Sequence, residues 1–321
     1  MKAAVVENTA RPPRYRDFSE PNAASDEVMV TVKAAALSQL VRAQASGNHY
    51  TSAPVPFVPG ADGVGLLDNG QRVYFAFSRA PVGAMAERVA VKADYTVALA
   101  DDVDDITAAA IANPGMSSWA ALTERAHFKK GETVLINGAT GASGRLAIQI
   151  AKYWGASRIV VTGRNPAYEP ELLSLGADVF IPLASQSGAR LRAQFRQEIG
   201  NGIDVVLDYL WGPSSACFIE AASGHGQGEA APRIRFVNIG SLGGPSIPLP
   251  AAALRSSGLE LTGSGLGSIA NARLVQCIGE MIQVYQQADL QIDAEAIPLQ
   301  EVEHVWAQSG SSRVVFTLNG E

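Results

Sequence analysis

Thr133 to Lys152 reads TVLINGATGASGRLAIQIAK, and this stretch decides the fold. A short apolar run, TVLIN, suits a buried strand; GATGASG is a glycine-rich turn; RLAIQIAKYWG carries apolar residues at helical spacing. Strand, glycine turn and helix in that order form the first half of a βαβ unit. The motif is Ala139-x-Gly141-x-x-Gly144, with Gly138 ahead of it. Such a turn points backbone N–H groups, and the positive end of the helix, at one spot where a pyrophosphate fits. The expectation is a dinucleotide site built on Ala139, Thr140, Gly141, Ala142, Ser143 and Gly144, with Gly141 allowing close phosphate approach and Gly144 close helix-to-strand packing. The plain alternative is a turn that merely connects.

Working outward, RIVVTG, IDVVLDYL, RIRFVNIG and LELTGS read as further short β-branched strands. Helical runs at Glu169–Leu175, Ala189–Ile199 and Ser214–Ala222 separate them. A parallel, doubly wound sheet is the economical arrangement. Up to about residue 100 the chain instead shows β-rich runs broken by turn residues: Ala3–Val6, Glu27–Ala34, Arg72–Phe77 and Glu87–Val91. Within it, PGADGVG ends at Gly65, and its three glycines mark tight turns or close backbone approach. Asp101, Asp102, Asp104 and Asp105 precede the run ITAAAIA, where acidic residues suit the positive end of a helix better than a metal site. After Gly267 come a long helix, Asn271–Gln287, and a last strand, Arg313–Leu318. SGHGQGE, at 223–229, reads as a mobile loop.

Composition narrows the function. The chain has 321 residues, 47% of them hydrophobic, enough for two domains with substantial cores. Its 25 basic against 31 acidic residues give a net charge of −6, which disfavours nucleic acid as a main partner. No run of apolar residues is long enough to span a bilayer, and the start MKAAVVENTA lacks a signal peptide's apolar core, so a soluble, cytoplasmic protein is expected. Two cysteines, Cys217 and Cys277, can build neither a disulfide framework nor a four-thiolate zinc site.

The choice of dinucleotide is made at the end of the next strand, about 20 residues beyond the glycine motif, where NAD sites carry Asp or Glu for the ribose 2′-hydroxyl. Here the strand ends Val161-Thr162-Gly163-Arg164-Asn165, with no carboxylate. Arg164 offers a planar cation suited to a 2′-phosphate, with Thr162 and Asn165 as hydrogen-bonding helpers. The expectation is NADP(H); the bland reading makes Arg164 a solvated turn residue.

Taken together, EVMVTVKAAALS, RAQASGNHY, VPFVPGADGVG, AAAIANPGMSSWAAL, the glycine motif, LGADVFIPL, GIDVVLDYLWG, RFVNIGS and SSRVVFTL occur in an order that resembles the medium-chain dehydrogenase/reductase superfamily. Within it, the likeness is to the zinc-independent quinone oxidoreductase-like branch. The resemblance implies an α/β fold in which a Rossmann doubly wound parallel sheet is inserted in a β-rich, chaperonin-10-like (GroES-like) catalytic domain. The corresponding division is 1–114 for the first part of the catalytic domain, 115–265 for the NADP-binding domain and 266–321 for the catalytic domain's C-terminal part. It also implies coenzyme contacts from Gly240, Ser241, Ser264, Gly265 and Leu266, and from Arg313 at the pyrophosphate. A homodimer paired near LELTGSGLG is expected on the same ground.

The departures matter as much. Zinc-dependent relatives hold their catalytic metal with Cys, His and Cys; the matching positions here are Ser38, Ala61 and Asn113, with Asp62 beside Ala61. None supplies a thiolate or imidazole, so no metal is expected. Hydride transfer without a metal suits a quinone or an α,β-unsaturated carbonyl. Charge then develops on the substrate oxygen, where Ser38 and Asn113 are neutral donors and Tyr50 would hydrogen-bond the oxygen or relay a proton, with His49 a weaker candidate. Each has a plainer reading: Ser38 caps a helix, Asn113 fixes the turn before Pro114, Tyr50 is a loop aromatic, and Asp62 ties the PGADGVG turn by local hydrogen bonds. Leu40, Phe57, Trp119 and the 240s loop are the expected pocket walls.

Among rival enzymes, a short-chain dehydrogenase would need a Tyr-x-x-x-Lys pair, and no tyrosine here has Lys four residues on. Neither G-x-S-x-G nor G-x-x-x-x-G-K-[ST] occurs, which disfavours a serine hydrolase or P-loop nucleotidase. From a different class, a non-catalytic NADP(H)-binding sensor or structural protein on the same fold remains the alternative to an enzyme.

Overall fold

The computed structural model describes residues 1–49, 51–184, 188–223, 230–308, 310 and 312–318. In chain order the elements are β1 (Lys2–Val5), β2 (Arg14–Asp17), β3 (Glu27–Ala36), α1 (Gln39–Ala45), β4 (Asp62–Leu67), β5 (Arg72–Ala76), β6 (Arg88–Lys92), β7 (Thr96–Ala98) and α2 (Asp105–Ala120). There follow β8 (Thr133–Asn137), α3 (Ala142–Tyr153), β9 (Arg158–Gly163), α4 (Glu169–Ser174), β10 (Val179–Pro182), α5 (Gly188–Gly200), β11 (Val205–Asp208) and α6 (Gly212–Ala222). The remainder comprises β12 (Arg233–Asn238), α7 (Ala251–Arg255), β13 (Gly258–Gly263), α8 (Asn271–Gln283), β14 (Ala294–Pro298), α9 (Val302–Val305) and β15 (Arg313–Thr317).

Two compact units result. One joins Met1–Asn113, Ala270–Tyr285 and Gln291–Glu321; the other joins Pro114–Ile269 and Gln286–Leu290. The return of Gln286–Leu290 to the second unit has no counterpart in the sequence reading, which runs one helix to Gln287; α8 ends at Gln283. Ala288 and Leu290 are both buried, which gives this short polar stretch its anchor.

The first unit holds a seven-stranded mixed sheet in the order β14-β15-β3-β4-β5-β7, with β6 also paired to β3, and a separate β1–β2 ribbon. In β3, EVMVTVKAAA, Val30, Val32 and Ala34 are buried while Thr31 and Lys33 are half-buried, the period of two that a one-sided strand needs. A Cβ on Gly65 would lie 2.3 Å from the Thr31 carbonyl oxygen, so the glycines of PGADGVG let β4 lie close against β3. Asp104 accepts from the Thr107 N–H and hydroxyl ahead of α2, so this member of the acidic cluster caps the helix.

The helix then runs through Pro114, where the sequence predicts a turn, and ends in a π-helical turn over Ala121–Arg125. Ala108 to Ala112 and Trp119 to Leu122 are buried, and that packing on both sides of the proline holds the helix together despite the missing N–H.

The second unit is a six-stranded parallel sheet in the order β10-β9-β8-β11-β12-β13. TVLIN of β8 and VVLD of β11 are buried at every position, as strands covered on both faces must be. Leu135, Val160, Phe195, Phe218 and Phe236 belong to its core. The chain winds outward from β8 to β10 on one side and from β11 to β13 on the other. The strand order therefore reverses between β8 and β11, the place where open α/β sheets bind ligands.

Candidate functional site

At the carboxyl end of β8 the backbone turns through Gly138, whose φ of +95° other residues rarely adopt. Gly141 takes the N-cap position of α3 in an extended conformation, with no side chain capping the helix. The first-turn N–H groups have no intrahelical partner, and a Cβ built on Gly141 meets nothing within 4 Å. Gly144 is the opposite case. Its Cβ would fall 2.5 Å from Ala139 Cα and 2.7 Å from the Gly138 carbonyl oxygen, so only glycine lets α3 close on the turn. Uncapped amides at a positive helix end, facing open space, fit the pyrophosphate of a dinucleotide.

β9 runs beside this turn. A Cβ on Gly163 would lie 2.7 Å from Thr140 Cγ2, which places the end of β9 against the glycine loop. Arg164 follows, exposed, and its guanidinium makes no hydrogen bond or ion pair among the described residues. Asn165 caps the short helix after it, its Oδ1 accepting from the Ala167 N–H at 3.0 Å. Arg145 on α3 holds Glu171 at 2.9 Å and lies 5.4 Å over the Tyr168 ring. Thr162 faces inward. Fully buried, it accepts from Gly138 N–H at 2.9 Å and donates to Asn137 Oδ1 at 2.7 Å, so its hydroxyl braces the glycine turn instead of facing Arg164.

On the other half of the sheet, a Cβ on Gly240 would lie 2.6 Å from the Tyr209 carbonyl oxygen, and Ser241 beyond it is exposed. Ser264 is buried and its N–H donates to the Asn238 carbonyl at 2.8 Å; Gly265 pairs with the Ser268 hydroxyl, and Leu266 bridges to Ile269. Tyr209 is a group that sequence reasoning missed. Its buried hydroxyl lies 3.2 Å from Ser117 Oγ, which itself donates to the Pro114 carbonyl, and burial pushes the phenol up to about 12.

In the first unit, Ser38 is buried at the N-cap of α1, its Oγ accepting from Val41 N–H at 3.2 Å. Ala61 is half-buried. Asp62 starts β4 and accepts the Tyr74 hydroxyl at 3.0 Å from the neighbouring β5, a cross-strand bond where a turn-bracing one was expected. Its Oδ1 has no partner, and burial pushes the carboxyl up to about 6 against the pull of Arg313 and the Tyr74 hydrogen bond. Arg313 lies on β15, with Nε and Nη2 buried and without a hydrogen-bond partner among the described residues; its charge acts on the Asp62–Tyr74 pair. Asn113 is half-buried on α2. His49 Nδ1 is 2.7 Å from Thr51 Oγ1, and Tyr50 falls outside the described residues, as do 224–229 of the SGHGQGE loop. Of the expected pocket walls, Leu40 is half-buried, Phe57 belongs to the first unit's core, and Trp119 packs on Tyr153 and Trp154 at centroid distances of 6.0 and 5.0 Å. Among the described residues no group of three or more His, Cys, Asp or Glu side chains is arranged to hold a metal ion, and no helix is long and apolar enough to cross a membrane.

Residues 142–283 match the profile of the zinc-binding dehydrogenase family. Ser38, Ala61 and Asn113 lie outside the match, so that description carries no information on a metal there. Over 98% of this chain and 99% of its own length, a probable NADPH-dependent quinone reductase of Emericella nidulans is 28% identical. A Thermus thermophilus quinone oxidoreductase, solved also with NADPH, is 25% identical, superimposes with a TM-score of 0.79, and is matched over 99% of this chain and 100% of that one. By these matches the chain is similar to quinone oxidoreductases of the medium-chain dehydrogenase/reductase superfamily. A mycobacterial quinone oxidoreductase with a TM-score of 0.85 at 20% identity, covering 99% and 100% of the two chains, shares the fold. In this chain the uncapped α3 terminus and the open Arg164 sit at the ends of β8 and β9 of the doubly wound sheet.

Proposed function

We propose that the protein is an NADP(H)-dependent oxidoreductase that reduces quinones or α,β-unsaturated carbonyl compounds without a metal ion. The observation that carries this reading is Arg164, an exposed guanidinium without a partner among the described residues, one residue past a strand end packed on the glycine turn. The relatives' names, which specify NADPH and quinones, agree with it.

When bound, NADPH supplies the hydride. The amides of Gly141, Ala142, Ser143 and Gly144 would hold the pyrophosphate, with Ala139 and Thr140 shaping the turn. Arg164 would pair with the 2′-phosphate and Asn165 would fix the loop that carries it. Gly240, Ser241, Ser264, Gly265 and Leu266 would border the nicotinamide half. Ser38, Asn113 and Tyr50 would donate hydrogen bonds to the substrate oxygen as it gains charge. Zinc does not fit Ser38, Ala61 and Asn113: the set holds no thiolate or imidazole, and the Ser38 oxygen already caps α1.

β13 is a terminal strand of the parallel sheet, and pairing of two such edges would build the homodimer we propose. Absorbance loss of NADPH on adding a naphthoquinone or a simple enone tests the activity. Saturable NADPH binding with flat traces across both substrate classes would instead favour a coenzyme-binding sensor or structural protein.

A further inference from the structure

Four neighbouring strands of the parallel sheet carry a polar side chain at or next to their carboxyl ends. Thr162 on β9 pairs in register with Asn137 on β8, Asn137 with Asp208 on β11, and Asp208 with Asn238 on β12. Thr162 and Asp208 are fully buried and Asn137 is 2% exposed. Burying such groups costs stability unless each finds a partner, so their partners show what the row does.

The bonds run without a break. Gly138 N–H donates to Thr162 Oγ1 at 2.9 Å, Thr162 Oγ1 donates to Asn137 Oδ1 at 2.7 Å, and Asn137 Nδ2 donates to Asp208 Oδ1 at 2.8 Å. From the other side, Asn238 Nδ2 donates to Asp208 Oδ2 at 3.3 Å and to the Gly240 carbonyl at 2.9 Å. The Asp208 carboxylate also receives the N–H groups of Leu210 and Trp211. Trp211 has a φ of 54°, a backbone state that a non-glycine residue keeps only when its surroundings enforce it. One end of the row therefore holds the glycine turn. The other holds Gly240 and the 209–211 loop, and the strand-order reversal lies between.

We propose that Thr162, Asn137, Asp208 and Asn238 form a positioning strut that fixes the spacing between the two halves of the coenzyme site, Thr162 serving the phosphate half and Asn238 the nicotinamide half. The inference rests on the reading of the glycine turn as an NADPH site and adds to it the residues that hold that site in shape. None of the four touches coenzyme in this account; each acts through backbone it tethers. A strut of this kind keeps the amides at Gly138 and the carbonyl at Gly240 in place before the ligand arrives, which spares the ligand the cost of ordering them.

Calorimetric titration with NADPH and with 2′,5′-ADP, which lacks the nicotinamide half, tests the assignment, with thermal melting of each unliganded variant alongside. Thr162→Val removes the hydroxyl at constant shape and should weaken both ligands about tenfold, while Thr162→Ser, which keeps the hydroxyl, should stay within about twofold of wild type. Asn238→Ala frees Gly240 and should weaken NADPH about tenfold with 2′,5′-ADP unchanged. A uniformly structural role predicts no such split. The strut is overturned if Thr162→Val binds both ligands as wild type does, or if Asn238→Ala loses 2′,5′-ADP in step with NADPH. Should Thr162→Val fail to fold, the Asn238→Ala split decides alone. Wild-type protein that binds neither ligand would sink the coenzyme reading itself, a result distinct from wild-type binding with unmoved variants.

Discussion

Tyr74 donates its hydroxyl to Asp62 Oδ2 at 3.0 Å across the β4–β5 pair, while the second oxygen of this buried carboxylate has no partner. Burial lifts the Asp62 carboxyl from an ordinary 3.8 to about 6. The folded protein therefore holds this proton more tightly than the unfolded chain, and the contribution is present below about pH 4 and lost as pH rises to about 6. The expected size is about 3 kcal/mol. Measured against Asp62→Asn, which cannot titrate, wild-type stability should fall by that order across this window in denaturant melts. A flat difference between pH 4 and 7 would contradict the assignment.

Gly141 and Gly144 should respond oppositely to alanine. Gly144→Ala drives a methyl into Ala139 and the Gly138 carbonyl, so it should destabilise the fold by about 1–3 kcal/mol. Gly141→Ala enters open space and should change stability by less than about 0.5 kcal/mol. It should still weaken NADPH binding, because the new methyl stands where a phosphate would come. Equal melting temperatures for the two variants would refute the packing argument.

Removing the Arg164 guanidinium should lower affinity for NADPH and leave NADH alone. A charge-assisted contact of about 1.5–3 kcal/mol corresponds to a loss of roughly 10- to 150-fold, read as the ratio of the two dissociation constants in Arg164→Ala. A fall shared equally by both coenzymes would assign Arg164 to something other than the 2′-phosphate.

The parallel sheet and its glycine turn were legible because both are written locally, in apolar runs and in the spacing of Gly141 and Gly144. The polar strut was written there too, since TVLIN, VVLD and RIRFVN each end an apolar run on a polar residue. Its meaning depended on register, which puts Asn137, Asp208 and Asn238 side by side and is set by pairing between strands distant in sequence. Register likewise explains Thr162: at the end of β9 it reads as a helper for Arg164, but the alternation of a strand turns its hydroxyl to Gly138. Pro114 misled for a different reason, because a local helix breaker gave way to tertiary burial on both sides.

Ser38→Ala separates two roles of one hydroxyl. Loss of the α1 cap should cost about 1 kcal/mol of stability. If Ser38 also donates to the substrate oxygen, kcat should drop with NADPH affinity unchanged, and unchanged kcat would leave it a helix cap only.

Light scattering should return twice the mass of the chain, as pairing of two β13 edges requires. A monomeric wild type would remove the edge-pairing proposal.

The central claim is hydride delivery from an NADPH whose pyrophosphate is held at this glycine turn, with no metal ion taking part. Its most direct test follows NADPH absorbance with a naphthoquinone after exhaustive chelation of the protein: the expected result is turnover equal to that of untreated enzyme, and activity abolished by the chelator and restored by zinc would contradict it.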